Sequence, residues 1–398
     1  MNPDNTTHAR LKGDAINLRA LYFGYFMALG ALSPYISLYY QRGGLSGMEI
    51  GFLAALILVA SSLAAIPWGI VADRFGLHRR ILILGFLFAA AFIFLLSHTS
   101  DFRLMVPLVL GYAVFVAPIV PLLDSTAVGV AHGQGVSFGE IRVGGSVGWI
   151  ISVWLVGILI QRMNIQWLFL AYVACMLLTL MYALLRPTQM GSVQMPQWDW
   201  DKLRSLLTER SVALFLASTF LVMVANGAVQ NFFSLYMDGI GATESLIGVA
   251  WAVAAISEIP MMMYSGRLIG RIGSTGLLKL SFSVYAVRWL LFSFIHDPMW
   301  ALALQMLHGL SFAAFLTAGV TYLNERTPAG LGTTAQSIFS VVSYGLAAFV
   351  GALAGGYLYD HGSMTVFFRV FGAVTIAGLL LFWVSSARPW RAAYETNA

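Results

Sequence analysis

The sequence predicts an all-α membrane protein, with twelve transmembrane helices in two pseudo-symmetric six-helix bundles. Three observations carry that expectation. The 398 residues are 59% hydrophobic and only 10% charged, with a mean hydropathy of +0.80; a soluble chain carries about 25% charged residues. Apolar runs of about 20 residues, the length that crosses a bilayer as a helix, recur almost from end to end. A single shift of 197 residues also brings motifs of the first half onto the second.

The predicted spans, in order, are Leu18–Tyr40, Met48–Ala72, Arg80–Ser97, Leu104–Ala131, Ile141–Ile160, Trp167–Leu185, Val212–Met237, Leu246–Ile269, Leu277–Ile295, Met299–Leu323, Thr334–Leu358 and Val366–Ser386. Helix is the structure expected of each, because in lipid every backbone group must be paired within its own segment. Ser33-Pro34 and Ile259-Pro260 place bends in the first and eighth spans, since proline removes a backbone donor. Most connections are short. The longest divides the chain into an N-terminal bundle (1–186), a linker (187–210) and a C-terminal bundle (211–398). Within the linker, Trp198–Leu207 is amphipathic and is expected to lie on the membrane surface.

Basic residues orient the chain. With the N-terminus inside, 16 of the 22 Lys and Arg fall in inner segments, while only Arg42, Arg103, Arg162 and Arg369 fall outside. By the positive-inside rule both termini are cytoplasmic. The first 17 residues are polar and no cleavage signal follows, so no signal peptide is read. The net charge of +5 sits in short loops and does not indicate nucleic acid. The single cysteine, Cys175, lies in an apolar run, which leaves no disulfide framework and no cysteine-based metal site. No Ser/His/Asp set, zinc spacing, phosphate loop or nucleotide-binding domain is visible, so neither enzyme chemistry nor a cofactor is expected.

The repeat is specific. The 197-residue shift places Ser37-Leu38-Tyr39 on Ser234-Leu235-Tyr236, Ile50-Gly51 on Ile247-Gly248, Gly69 on Gly266, Arg74 on Arg271, Gly76 on Gly273, Ser146 on Ser343 and Gly148 on Gly345. Two similar bundles can rock about a shared midplane site and open it to each side in turn.

Between the second and third spans stands Gly69-Ile-Val-Ala-Asp73-Arg74-Phe-Gly76-Leu-His-Arg79-Arg80. Its glycines permit a tight turn, and Asp73 can latch neighbouring donors. This loop resembles the signature of the major facilitator superfamily, which implies the major facilitator fold and a gating role for Gly69, Asp73, Arg74, Gly76, Arg79 and Arg80. The second copy, Gly266–Gly273, lacks the acid. The alternative is a basic loop set by the positive-inside rule alone.

A finer resemblance covers nearly the whole chain. Pro121-Leu-Leu-Asp124-Ser, Phe138-Gly-Glu140-Ile-Arg142-Val-Gly-Gly-Ser146-Val-Gly-Trp149, Val287-Arg288-Trp289 and Leu304–Phe312 are similar to the branch holding lactose permease and the 3-phenylpropionate and nucleoside proton symporters. The resemblance implies that Asp124, Arg142 and Trp149 grip solute and that Arg288 and His308 belong to a proton-coupling network. Two positions depart from lactose permease: Ser311 replaces a carboxylate one turn after the histidine, and Glu258 lies about one turn beyond that permease's helix-8 acid. The Ser257-Glu258-Ile259 pattern is similar to the phenylpropionate transporters.

The same residues stand out by physics. Charges within spans are costly and face a cavity or a partner. Glu258, Arg288 and His308 fall at similar depth and can share one layer. Burial opposes charge on a carboxylate and a nearby arginine supports it, so motion between them changes proton affinity. A static ion pair, or for His308 simple packing, is the alternative. Asp124 and Arg142 lie 21 and 20 residues from Arg103 and Arg162. At a rise of 1.5 Å per residue both are about 30 Å from the outer ends, matched for a site or for a structural bridge. Asn226 and Gln230, spaced i, i+4, present two amides that suit a polar ligand or helix contacts. Tyr22, Tyr25 and Tyr35 with Trp149 offer aromatic walls or packing.

The expected function is therefore secondary transport by alternating access. A proton gradient would drive import of a small organic solute (an aromatic acid, sugar or nucleoside) through a monomer in the plasma membrane, which in a prokaryote is the inner membrane. Proton-driven efflux of small molecules or drugs, and a transporter-like receptor, are the alternatives. The expected partners are solute, protons and lipid.

Overall fold

A computed structural model describes residues 3–134, 136–186, 209–327 and 331–386. The amphipathic stretch Trp198–Leu207 lies outside the described residues. Among those described, eleven helices are long and apolar enough to cross a membrane. They are α1 (Asp14–Arg42), α2 (Gly47–Phe75), α3 (His78–Leu96), α4 (Phe102–Ala131), α5 (Phe138–Arg162), α6 (Trp167–Leu185), α7 (Arg210–Gly239), a run Glu244–Phe292, then Pro298–Asn324, Thr334–His361 and Met364–Ser386. The run Glu244–Phe292 has 49 residues. At 1.5 Å per residue that is roughly 75 Å, far beyond a hydrocarbon core of about 30 Å. Its backbone leaves the helical region at Gly273 (φ 71°, ψ 165°), which divides it into α8 (244–272) and α9 (274–292). The last three helices are then α10, α11 and α12, and the twelve-helix fold is complete.

Local chemistry explains the boundaries. Ser46 accepts from the Glu49 N–H at 3.2 Å while Glu49 accepts from the Ser46 N–H at 2.8 Å, a reciprocal cap that starts α2. Gly76 ends α2 in the left-handed conformation (φ 63°), its N–H donating to the Ala72 carbonyl. Pro34 interrupts α1 between Leu32 and Ile36. Pro118 interrupts α4 between Val116 and Ile119, a break that the hydropathy pattern does not reveal. Large apolar side chains such as Leu63, Phe94, Leu170, Met263 and Trp300 are exposed, which suits a surface solvated by lipid.

The repeat is visible in the backbone. Among the described residues four glycines have positive φ: Gly44 and Gly241 (both 89°), Gly76 (63°) and Gly273 (71°). They form two pairs at the 197-residue offset. Gly30 and Gly227 are a third pair: a Cβ on Gly30 would meet the Trp149 carbonyl oxygen at 2.9 Å, and one on Gly227 would meet Ala348 Cα at 2.8 Å. So α1 packs backbone-close on α5, and α7 on α11, through equivalent positions.

The chain forms two compact units. The first comprises Met1–Met195, Asn231–Ala255 and Asp297–Leu302. In it α1 packs on α4, α5 and α6, and α4 also packs on α2 and α3. The second comprises Pro196–Gln230, Ile256–His296 and Ala303–Ala398. Its core includes Phe215 of α7 against Tyr322, Phe339 and Phe382 of α10, α11 and α12, with ring centroids 4.6–6.1 Å apart.

Candidate functional site

Two clusters of charge occupy the spans, one in each unit. In the first unit Arg142 of α5 stands opposite Asp124 of α4, with Nε 4.0 Å from Oδ1. That distance is too long for a hydrogen bond. The same Oδ1 accepts from the Tyr22 hydroxyl at 2.5 Å. The guanidinium of Arg142 lies over the Phe26 ring, 5.3 Å from its centroid. Asp124 and Arg142 are 38% and 44% exposed. Trp149 is half-buried two turns along α5 from Arg142. Tyr25 is buried and meets Phe26 edge-on at 5.4 Å. Glu140 is 59% exposed, as its place near the loop suggests.

In the second cluster Arg288 and His308 are buried and Glu258 is partly exposed. Arg288 of α9, 1% exposed, donates from Nη2 to Gln305 Oε1 at 2.6 Å and from Nη1 to Ser311 Oγ at 2.7 Å. Its Nη1 also lies 3.3 Å from His308 Nδ1. A guanidinium only donates, so Nδ1 accepts and the imidazole proton sits on Nε2. That nitrogen faces Glu258 Oε1 at 3.2 Å. Arg288, His308 and Glu258 thus form a chain from α9 through α10 to α8. Gly309 makes the approach possible: a Cβ there would fall closer than 3.0 Å to the Ser257 carbonyl, and its N–H donates to Ser257 Oγ at 2.9 Å. Directly after His308 the helix takes a π turn over Gly309–Ala313, which re-aims side chains at this level. Ser311, where the resemblance expected a carboxylate, instead binds Arg288.

Asn226 and Gln230 belong to the second unit. Asn226 is buried and its Oδ1 has no hydrogen-bond partner among the described residues; Gln230 is half-buried. Tyr35 is fully buried and its hydroxyl donates to the Val153 carbonyl.

The signature loop bonds within itself and to α6. Asp73 accepts from His78 Nε2 at 2.8 Å. Arg79 donates to the Ala183 and Leu184 carbonyls at 3.2 and 3.1 Å, at the C-terminal end of α6 where unpaired carbonyls favour a cation. Gly69 is buried, Arg74 lies 5.9 Å from the Phe75 ring centroid and Arg80 is exposed.

On the face opposite this loop, called the far face below, the first unit carries a third set of contacts. Arg42 Nη2 reaches Asp238 Oδ1 at 2.8 Å and Glu244 Oε1 at 2.9 Å. Ser37 donates to the Asn231 carbonyl at 2.8 Å. A Cβ on Gly248 would fall closer than 3.0 Å to the Val153 carbonyl and the Tyr35 hydroxyl, and one on Gly157 closer than 3.0 Å to the Glu244 carbonyl and the same hydroxyl.

Sequence reasoning passed over Phe26, Gln305 and Gly309 and gave Tyr22 no polar role. A signal existed for all of them except Gly309. Tyr22 and Phe26 are spaced i, i+4, and Gln305, His308 and Ser311 recur every three residues, so each set shares a helix face.

Residues 15–370 match the MFS_1 like family. The maltose permease of Geobacillus stearothermophilus is 32% identical over 94% of this chain and 95% of its own length. The probable 3-phenylpropionic acid transporter of Escherichia coli K12 is 26% identical over 90% of this chain and 95% of its own. The crystal structure of the nucleoside transporter NupG superposes with a TM-score of 0.82 at 17% identity, covering 94% of this chain and 99% of that one.

Proposed function

This chain belongs to the MFS_1 like family and is a multi-pass membrane transporter of the major facilitator type, not an enzyme, and we propose that it is a proton-coupled importer of a small organic solute. The observation that carries the proposal is the Glu258–His308–Arg288 chain. It holds an acid at 24% exposure against a histidine at 8%, linked to a buried arginine that has no direct carboxylate bond among the described residues. A fixed ion pair needs no intermediary; a histidine between acid and guanidinium gives a contact that small motions make or break. His308 cannot take a second proton on Nδ1 while it accepts from Arg288. We assign the proton-carrying role to Glu258, whose contact with His308 lies at 3.2 Å.

In the first unit solute is held by Asp124 and Arg142, with Trp149 and Tyr25 as further contacts; in the second, Asn226 and Gln230 are the amides suited to a polar ligand. The relatives' solutes, maltose and 3-phenylpropionic acid, set the size range. Alternating access opens and closes the far-face contact of Arg42, Gly157 and Gly248, while Asp73 and Arg79 order the opposite face. Both termini lie on the cytoplasmic side of the plasma membrane, the bacterial inner membrane if the source is prokaryotic, and the unit of transport is the monomer.

Solute accumulation in proteoliposomes tests the reading. An inward proton gradient should drive uphill uptake, and Glu258→Gln should abolish it while solute binding persists. A wild type indifferent to the gradient would remove proton coupling. Full accumulation by Glu258→Gln would move the proton site to Asp124.

A further inference from the structure

A relaxed arginine–carboxylate pair closes to about 2.7–2.9 Å, commonly through two parallel bonds. Arg142 and Asp124 do not close: their approach stops at 4.0 Å. Two side chains of α1 account for the gap. The Tyr22 hydroxyl donates to Asp124 Oδ1, the oxygen nearest the arginine, and so draws the carboxylate toward α1. The Phe26 ring supports the guanidinium face-on at 5.3 Å. Phe26 is itself seated: its ring stacks on Tyr22 at 6.3 Å with 25° between planes, and Tyr25 meets it edge-on. Gly145, three residues after Arg142, leaves room for it, since a Cβ there would fall 2.8 Å from Phe26 Cδ2.

We propose that Tyr22 and Phe26 are positioning residues that hold Asp124 and Arg142 ajar, so that the pair receives a neutral, hydroxyl-rich solute. This rests on the assignment of Asp124 and Arg142 to solute binding. Among the described residues no hydrogen bond reaches Asp124 Oδ2 or the guanidinium of Arg142, and both side chains are substantially exposed. A free acceptor beside a free donor fork suits two neighbouring hydroxyls, one donating to the carboxylate and one accepting from the guanidinium. An organic anion would satisfy Arg142 but bring its carboxylate against Asp124, and like charges that close repel. A pair whose role is to join α4 to α5 has no use for a tyrosine on its inner oxygen.

The test reads Arg142 itself. In the purified full-length protein, the rate of phenylglyoxal adduct formation at Arg142 is followed by peptide mass spectrometry, with Arg103 and Arg369 as internal references. Tyr22→Phe keeps the ring and frees Oδ1, so Asp124 should close on Arg142 and slow the adduct several-fold. Adding Asp124→Asn to Tyr22→Phe should restore the rate, an outcome that loss of packing alone does not produce. An unchanged or faster rate in Tyr22→Phe would overturn the positioning role. In the wild type, maltose or xanthosine should protect Arg142 several-fold and 3-phenylpropionate should not. Protection by 3-phenylpropionate alone would overturn the neutral-solute preference. Protection by none of the three would remove solute from this pair, while the Tyr22→Phe rate still decides the positioning role separately.

Discussion

Replacing Gly248 by alanine adds one methyl group where the structure leaves no space. The new Cβ would fall closer than 3.0 Å to the Val153 carbonyl oxygen and the Tyr35 hydroxyl. Neither can yield cheaply: Val153 belongs to the α5 backbone, and the Tyr35 hydroxyl is held by that same carbonyl. Overpacking of this kind costs about 1–3 kcal/mol, and if the cost falls only on the state with the far face closed, the closed–open equilibrium shifts by about 5- to 150-fold. Val153 is completely buried. With Cys175→Ser as background, Val153→Cys should react with a membrane-impermeant maleimide only when the far face opens, and Gly248→Ala should raise that rate by the same factor. Gly266→Ala is the control. It adds the same methyl where nothing lies within 4 Å, and alanine favours helix by about 1 kcal/mol, so labelling should not change and stability should hold or rise. Equal labelling rates for Gly248→Ala and its parent would refute the inference that this contact is the closed far-face gate.

Three further outcomes are expected. Arg42→Ala removes two partly exposed ion pairs worth about 0.5 kcal/mol each, so the same labelling rate should rise about fivefold, with the difference shrinking in high salt; a salt-independent effect would point to packing instead. Arg142→Ala should abolish solute binding measured by thermal shift, and Arg142→Lys should fail as well because an ammonium cannot reproduce the planar fork; binding of unchanged affinity in either would make the pair structural. Gly309→Ala should push α10 away from α8 and uncouple accumulation from the proton gradient with no titratable group altered; intact coupling would show that the His308–Glu258 distance is not critical.

Most of the fold was legible because lipid imposes one rule. Every span must be a helix, and hydropathy finds the spans to within a few residues. The α8–α9 junction shows the limit. Hydropathy separates two spans there, while the helix in fact runs on through Arg271 and breaks only at Gly273. The break in α4 at Pro118 was hidden because its flanks are equally apolar. For the site, counting residues put Asp124 level with Arg142, and Glu258 level with Arg288 and His308, because depth follows directly from helical rise. Rotation about the helix axis does not follow from depth. That is why Phe26 escaped notice, and why Tyr35 was read among possible aromatic walls when its hydroxyl is bonded at the far face. Gly309 was invisible for another reason: close backbone approach depends on the neighbouring helix, which one sequence does not specify.

The internal repeat separates packing from chemistry. At the 197-residue offset the glycines that shape turns and close helix pairs are retained: Gly30 with Gly227, Gly44 with Gly241, Gly76 with Gly273. The charged residues of the two clusters are not. Asp124 and Arg142 correspond to Thr321 and Phe339, while Glu258, Arg288 and His308 correspond to Ser61, Ala91 and Gly111. A bundle must keep its close contacts to fold, so those positions tolerate little change in either copy. A charge in a span is costly, so it persists only where it is used, and two identical clusters would give two equivalent sites with no direction of coupling. On the proposed reading, the half-exposed pair in the first unit meets solute, and the chain in the second, where only Glu258 is partly exposed, carries the proton. On that reading, coupling requires that rearrangement within the second unit alter the His308–Glu258 contact, and Gly309, where a Cβ would fall closer than 3.0 Å to the Ser257 carbonyl, lets α10 approach α8 at that level.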